Sequence, residues 1–191
     1  MKKKILGLLL TAVMVFSLTP AAAFAATAEA TQAANELHAL GLFGGTGTDA
    51  NGNPIFDLDR APTRQEAITI LVGLLGKTEE AKAGKWNMPF TDVDNWAKPF
   101  VGYAYANGIA SGTSATTFGA KDTVTVSQYL SFMLRVQGYE SGKDFQWNKA
   151  WELSDQIGLT DGRYSSYTRN FHRGDVVIIS LRAYEMMEIL K

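Results

Sequence analysis

The chain has 191 residues, with 18 Lys and Arg, 19 Asp and Glu, two His and no Cys, and its formal net charge is −1. This balance argues against a nucleic-acid partner, which requires a basic surface. The hydrophobic share of 46% argues against a disordered chain. Without Cys there is no disulfide framework and no thiol chemistry. Two His leave little for a histidine site, so we expect no metal and no cofactor.

The first 25 residues have the pattern of a secretory signal peptide. Three lysines at residues 2–4 precede a mostly apolar stretch at 5–18, and Ala-Phe-Ala at 23–25 predicts cleavage before Ala26. The alternative is a retained membrane anchor, but the apolar stretch is short for a span of about 20 residues. We therefore predict export to the cell surface, with no membrane span after cleavage.

After residue 25, one sequence unit recurs three times. Each unit has a Gly-hydrophobic step, a second Gly at a fixed offset, and a loop that leads into a helix start. The three helix starts lie at Thr63, Thr125 and His172, which are 62 and 47 residues apart. Internal repetition of this kind indicates stacked structural units. The predicted units are 26–80, 87–139 and 140–191.

Each unit has the pattern of a helix, a glycine-rich loop and a second helix. Thr63 with Glu66, and Thr125 with Gln128, form capping boxes that predict two helix starts. Strand signals are confined to brief stretches such as 55–58. Because a two-helix unit cannot bury its own apolar face, the three units must pack together in a mainly α fold. The predicted helices are 30–40, 64–75, one from Asp94 or Asn95 through 106, one from Thr125 to 138, 147–157 and 173–190.

The middle unit carries a specific series of residues: Phe90-Thr91-Asp92-Val93, Trp96-Ala97, Ala104, Asn107-Gly108-Ile109, Gly112, Phe118 and Thr125. In the first unit, Phe56 stands seven residues before Thr63, as Phe118 stands before Thr125. The series resembles the S-layer homology repeat. The resemblance implies a pseudo-three-fold helical prism, a non-enzymatic role and a location in the bacterial cell wall or S-layer.

The resemblance also implies the ligand and the residues that hold it. Family members bind secondary cell-wall polymers with pyruvylated amino sugars, in grooves between neighbouring repeats. The motif Arg holds the anionic ketal, while Asp, Trp and Gly of the adjoining repeat contact the sugar. Carried over, this implies a groove formed by Arg64, Asp92, Trp96 and Gly112, with Arg173 as a second glycan contact. The capping-box residues support the motif.

The chemistry of Arg64 can be considered independently of the resemblance. It occupies the first position of a predicted helix, where free backbone amides and the positive end of the helix dipole favour an anion. Its guanidinium can pair with a carboxylate through two hydrogen bonds. The alternative is that Arg64 only pairs with a neighbouring acid: Glu66, Asp57 or Asp59.

The other candidates have structural alternatives as well. Asp92 could cap a turn, Trp96 could belong to the core, and Gly112 could serve a turn that requires a positive φ.

The second and third units depart from the motif found in the first. Val126 replaces the motif Arg, so its groove is predicted to be weak or silent. His172 replaces the motif Thr, and Gly174 weakens the helix start. The first unit lacks a Phe-x-Asp opening, which argues against a groove between the third and first units.

The leading hypothesis is a secreted, non-enzymatic protein that attaches to an acidic wall polysaccharide. One alternative is a structural or protein-interaction module with decayed grooves and non-covalent protein partners. Another is a binder of modified peptidoglycan or of a glycan linked to it. A hydrolase would need two carboxylates across a cleft, and no such pair stands out in the sequence.

Overall fold

The computed structural model describes residues 21–166, 168 and 170–189. Over these residues the chain is mainly helical, which confirms the predicted class. The described elements, in chain order, are α1 (Ala21–Ala39), β1 (Gly47–Thr48), β2 (Pro54–Ile55), α2 (Arg64–Leu74), α3 (Thr78–Ala83), α4 (Lys98–Ala106), α5 (Val126–Val136), a 3-10 turn (Trp147–Lys149), α6 (Ala150–Gln156) and α7 (Arg173–Ile189).

Both predicted capping boxes are present. At the start of α2, the Thr63 amide donates to Glu66 Oε2 (2.8 Å) and the Glu66 amide donates to Thr63 Oγ1 (3.4 Å). At the start of α5, Thr125 and Gln128 make the same reciprocal pair, at 3.1 and 3.3 Å. The two boxes satisfy amides that would otherwise lack partners, and they fix both helix starts where the sequence predicts them.

Some local predictions were wrong. Helix α4 begins at Lys98 and not after a cap at Asp94 or Asn95, because the amides of Ala97 and Lys98 first donate to the Asp94 carbonyl in a turn. The antiparallel pairing of β1 with β2 covers only Pro54–Ile55 of the predicted strand at 55–58. The short helix α3 was not predicted.

The helices pack in pairs that join different sequence units. Helix α2 of the first unit packs against α4 of the second, and α5 of the second packs against α6 of the third. Helix α7 of the third unit packs against α1 of the first. Each of these pairs therefore combines the second helix of one unit with the first helix of another.

The core runs through these helix pairs. One face of α5 is fully buried and consists of Tyr129, Leu130, Met133 and Leu134. The Tyr129 hydroxyl lies 2.7 Å from Ser180 Oγ on α7, and burial raises the pKa of this phenol. The buried hydroxyl thus has a hydrogen-bond partner, and it links α5 to α7.

The predicted signal peptide falls mostly outside the described residues. Its basic and apolar parts, residues 2–18, are not described, so export remains a prediction. Within the part of the chain that the structure describes, no helix combines the length and apolar character needed to cross a bilayer.

Candidate functional site

Two cavities lie at junctions between units. The first, which we call the Arg64 cavity, has a volume of about 420 Å³, and its lining includes Arg64, Gly112, Gln128, Phe132, Arg135 and Trp147. The second, the Arg173 cavity, has a volume of about 640 Å³, and its lining includes Arg173, Gly45, Glu66, Ile70, Gly73 and Trp96.

The two cavities are built from corresponding positions. Each takes an arginine from the first residue of one helix, a glycine-containing loop from the next unit, one face of the helix after that loop, and a tryptophan near the start of a further helix. The corresponding pairs are Arg64 and Arg173, Gly112 and Gly45, Gln128 and Glu66, Phe132 and Ile70, Arg135 and Gly73, and Trp147 and Trp96.

Arg64 is only 4% exposed and is held by backbone and rings. Its Nε donates to the Phe118 carbonyl (3.0 Å) and its Nη2 to the Ser111 carbonyl (3.1 Å). The guanidinium carbon lies 4.8 Å from the Phe118 ring centroid and 5.3 Å from that of Phe132. Burial lowers the Arg64 pKa. Its Nη1 has no hydrogen-bond partner among the described residues, so this corner of the guanidinium is free for another acceptor.

The alternative in which Arg64 pairs with a neighbouring acid was wrong. Glu66 instead pairs with Arg60, whose Nη1 and Nη2 donate to the two carboxylate oxygens at 3.0 and 2.8 Å. Burial opposes ionisation of Glu66, but these bonds and the Thr63 amide outweigh it and lower the Glu66 pKa to about 2. The Glu66 carboxylate therefore already has its partners, Arg60 and the Thr63 amide at the helix cap.

The expectation of free amides at the start of α2 was also wrong. The Arg64 amide donates to the Asp122 carbonyl (2.9 Å), and the Gln65 amide donates to the Ala120 carbonyl (3.2 Å). The chain before α5 therefore covers the end of α2. An anion in this cavity would meet the guanidinium rather than the helix terminus.

Arg173 repeats the geometry of Arg64 in the other cavity. It is 3% exposed, its Nε donates to the Phe56 carbonyl (2.9 Å), and its guanidinium carbon lies 5.4 Å from the Phe43 ring centroid. Its amide donates to the Arg60 carbonyl (2.9 Å). The missing Phe-x-Asp opening of the first unit therefore does not close this junction, because the Arg173 cavity lies between the third and first units.

Asp92 organises the loop that holds Arg64. Its Oδ1 accepts from the Phe118 amide (2.7 Å), and its Oδ2 accepts from the amides of Gly119 (2.8 Å) and Ala120 (2.9 Å). Burial raises its pKa, but these backbone bonds outweigh that effect and the net shift is downward. Asp92 lines neither described cavity, and its role as a glycan contact remains a prediction.

The tryptophans are divided between the cavities. Trp96 is 50% exposed and lies with Arg173, whereas Trp147 is 58% exposed and lies with Arg64. The structure therefore does not bring the predicted set of Arg64, Asp92 and Trp96 together in one groove. The alternative that Trp96 is a core residue was wrong.

Gly112 lines the Arg64 cavity. The alternative, that Gly112 serves a turn that requires a positive φ, was wrong. Its φ is not positive. A Cβ at this position would lie 2.5 Å from the Thr117 carbonyl oxygen and 2.6 Å from that of Ser114. Glycine is therefore required by the close approach of the loop backbone, and the loop remains open to the cavity on its other side.

The third junction differs from the other two. Val126 stands where they have arginine; it is 4% exposed and lines none of the described cavities. Four charged side chains form an ion-pair cluster at this junction: Glu29, Asp161, Arg163 and Arg182. The cavity beside the cluster has a volume of only about 170 Å³.

Two cavity residues were missed by sequence reasoning. Neither Arg135 nor Trp147 is among the predicted site residues. Arg135 lies on the face of α5 that lines the Arg64 cavity, together with Gln128 and Ser131, and Trp147 lines the same cavity from the 3-10 turn. The spacing of Arg135 from Gln128, two turns along one helix, could have placed the arginine on the same face as the cap.

These features describe a helical module with two similar cavities at its unit junctions, each with a buried arginine and an exposed indole. Residues 89–127, which include Ser111, Gly112 and Thr113 of the Arg64 cavity, match the family model of the S-layer homology domain.

Relatives of the chain are surface proteins and an enzyme. A cell surface protein of Thermoanaerobacter kivui is 30% identical over 96% of this chain and 25% of the relative. A surface layer protein of Brevibacillus choshinensis is 32% identical over 84% of this chain and 15% of the relative. An endoglucanase of a Bacillus species (strain KSM-635) is 30% identical over 63% of this chain and 15% of the enzyme.

The chain spans a quarter or less of the length of these relatives. The S-layer homology match and the surface-protein relatives support a cell-surface anchoring protein, located at the cell wall.

Proposed function

We propose that the chain is a secreted wall-anchoring module that binds an acidic secondary cell-wall polysaccharide, with pyruvylated sugars, in the Arg64 and Arg173 cavities. In this proposal, three S-layer homology repeats form a pseudo-three-fold helical prism, and the polymer lies across the unit junctions. The observation that carries the proposal is the repeated pairing of a buried arginine with an exposed tryptophan in two corresponding cavities.

The buried guanidiniums supply the attraction for an acidic group. Arg64 and Arg173 are each held in place by a backbone carbonyl and an aromatic ring, and neither forms an ion pair within the described part of the chain. A carboxylate entering either cavity would therefore meet a cation that is already oriented. A charge-assisted hydrogen bond of this kind contributes about 1.5–3 kcal/mol.

The exposed indoles supply a surface for a sugar ring. Trp96 and Trp147 leave half or more of their surface open to solvent while their cavities hold a cation. The face of an indole ring offers an apolar contact for the axial C–H groups of a sugar, while the edge of the ring remains exposed to water. Ser111, Thr113 and Gln128 add polar groups around the Arg64 cavity.

Binding to isolated wall material tests the proposal. Trp147→Ala and Trp96→Ala change exposed side chains, so they should leave the helix content intact. Leu40→Ala is the control, because Leu40 is 47% exposed and lines neither cavity. We expect each tryptophan variant to sediment with purified walls about tenfold more weakly, the double variant to lose most binding, and the control to bind normally.

The walls should also be tested after the acidic polymer has been removed, and after mild acid has cleaved pyruvate ketals. Wild-type binding should fall in both cases. Unchanged binding by the double tryptophan variant would overturn the cavity assignment. Wild-type protein that sediments with no wall fraction but cross-links to one protein would favour the protein-interaction alternative.

A further inference from the structure

The two cavities differ in the charges that line them. The charged residues lining the Arg64 cavity are Arg64 and Arg135, and no carboxylate lies in the described lining. The Arg173 cavity contains Asp57 and Glu66 as well as three basic residues: Arg60, Lys82 and Arg173. The Arg64 cavity thus has two cations without a compensating acid, whereas positive and negative groups are mixed in the Arg173 cavity.

Arg135 is a half-buried cation without an ion-pair partner in the described residues. It lies in the last turn of α5, and its Nη1 makes only a long hydrogen bond, 3.4 Å, to the Ile109 carbonyl. Burial lowers the Arg135 pKa. Burial also lowers the pKa of Arg64; nearby Asp122 opposes this effect and the charge of Arg135 adds to it. The two guanidiniums therefore interact unfavourably while the cavity is empty, and an anion between them would relieve this repulsion.

We propose that Arg135 acts with Arg64 to bind the anionic substituent of the wall polymer, so that the Arg64 cavity binds the charged sugar more tightly than the Arg173 cavity does. This inference rests on the proposed function. It assigns a specificity-determining role to Arg135.

The corresponding position in the Arg173 cavity is closed to an arginine. Gly73 stands there, and a Cβ on Gly73 would lie 2.8 Å from the Leu42 carbonyl oxygen. Because that oxygen belongs to the backbone, a side chain at residue 73 would displace the loop after α1. The charge difference between the cavities is therefore imposed by the path of the chain as well as by the choice of residue.

The decisive variant is Arg135→Gln, which removes the charge but keeps a polar side chain of similar length. Lys143→Gln is the matched control, because it removes an exposed cation that lines none of the described cavities. Arg135→Lys retains the charge and tests whether charge alone is sufficient. Circular dichroism and thermal unfolding should confirm that all three variants remain folded.

The probe is soluble wall polysaccharide, titrated calorimetrically in three forms: untreated, with its carboxylates reduced to alcohols, and with its phosphodiesters removed by hydrofluoric acid. We expect Arg135→Gln to bind the untreated polymer at least about tenfold more weakly than wild type, which corresponds to the loss of one charge-assisted hydrogen bond. Lys143→Gln should bind as wild type does, and Arg135→Lys should recover most of the affinity.

The treated polymers identify the anion. If carboxyl reduction removes the difference between wild type and Arg135→Gln, the bound group is a carboxylate; if phosphodiester removal does so, it is a phosphate, and either result supports the role of Arg135. A variant that binds untreated polymer as tightly as wild type would overturn it. So would an equal loss with every form of the polymer, because the effect would then be one of packing. Failure of wild-type protein to bind any form would instead refute the proposed function.

Discussion

The Arg64 and Arg173 cavities share a backbone frame but differ in chemistry. In both, the first residue of a helix places a guanidinium against a loop carbonyl and an aromatic ring. Around this common feature, the Arg64 cavity has Arg135, Gln128 and Phe132, whereas the Arg173 cavity has Gly73, Glu66 and Ile70. Repetition of the fold therefore preserves the position of the arginine while its surroundings are free to vary.

The third junction extends this comparison. Val126 replaces the arginine, and the charged side chains at this junction pair with one another. Arg163 Nη1 lies 2.8 Å from Glu29 Oε2, and Arg182 Nη2 lies 3.0 Å from Asp161 Oδ2. These arginines already have carboxylate partners. We expect this junction to hold the outer helices together rather than to bind an anion.

The largest expected difference between the cavities is in the free energy of unfolding that is lost when the aromatic residue beside the arginine is replaced. In each cavity this is the residue whose carbonyl accepts from the arginine. Phe118 is fully buried, whereas Phe56 is only partly buried. Phe118→Ala should lower the free energy of unfolding by about 4 kcal/mol, because it opens a cavity beside Arg64 and Phe90. Phe56→Ala should cost about half as much. Urea unfolding of both variants measures this difference, and equal losses would show that the two junctions are equally well packed.

Asp92 provides the next test, because it organises the loop that holds Arg64. Asp92→Ala leaves the amides of Phe118, Gly119 and Ala120 without their acceptor and should cost about 3 kcal/mol. Asp92→Asn keeps one acceptor oxygen and should lose about half as much. Thermal unfolding measures both effects. A loss below about 0.5 kcal/mol for Asp92→Ala would mean that the loop does not depend on this carboxylate.

Glu66 and Gln128 make corresponding capping boxes, but only Glu66 titrates. Its pKa is about 2 in the folded protein, below the ordinary value of 4.5. Its contribution to stability is therefore present above about pH 4.5 and is lost as the pH falls towards 2. After allowance for screening at the partly exposed Arg60, that contribution is about 2 kcal/mol.

Glu66→Gln should therefore be less stable at pH 7 and less sensitive to acid between pH 4.5 and 2. Denaturant unfolding over that range tests this prediction. Glu79→Gln is the control, because the Glu79 side chain is 87% exposed and its only described ion pair is with exposed Lys82. The prediction fails if Glu66→Gln and wild type lose stability in parallel as the pH is lowered.

The smallest effect is expected at the third junction. Glu29→Gln removes two ion pairs between α1 and the third unit, but these side chains are partly exposed. The loss should be below about 1 kcal/mol and should shrink at high salt. Glu36→Gln on the exposed face of α1 is the control. Wall binding should be unaffected, and a clear loss of binding would mean that this junction also contacts the polymer.

Local sequence signals predicted the helix starts well, because capping is decided within four residues. Thr63 with Glu66, and Thr125 with Gln128, form the expected bonds. The cap at Asp94 failed because its side chain accepts a hydrogen bond from Gln65 (2.8 Å), a partner distant in sequence. Likewise, α3 has only six residues and no side-chain cap, so it left little signal to detect.

Four of the predicted glycan contacts, Arg64, Arg173, Trp96 and Gly112, line cavities, but Trp96 lies with Arg173 and not with Arg64. Their contact with a glycan remains a prediction. Sequence adjacency favoured joining Arg64 to the unit that follows it. The fold instead gives Arg64 a tryptophan from the unit after that, because α5 packs against the third unit.

The sequence by itself determined the helical class, the repeated capping boxes and the residue types available for binding, because these depend on local hydrogen bonding and hydrophobic spacing. Tertiary structure decided which arginine faces which tryptophan, that both arginines are buried, and that Arg135 lies in a cavity without acids. Those features depend on how helices from different units pack, and contacts between distant residues leave no periodic pattern in the chain.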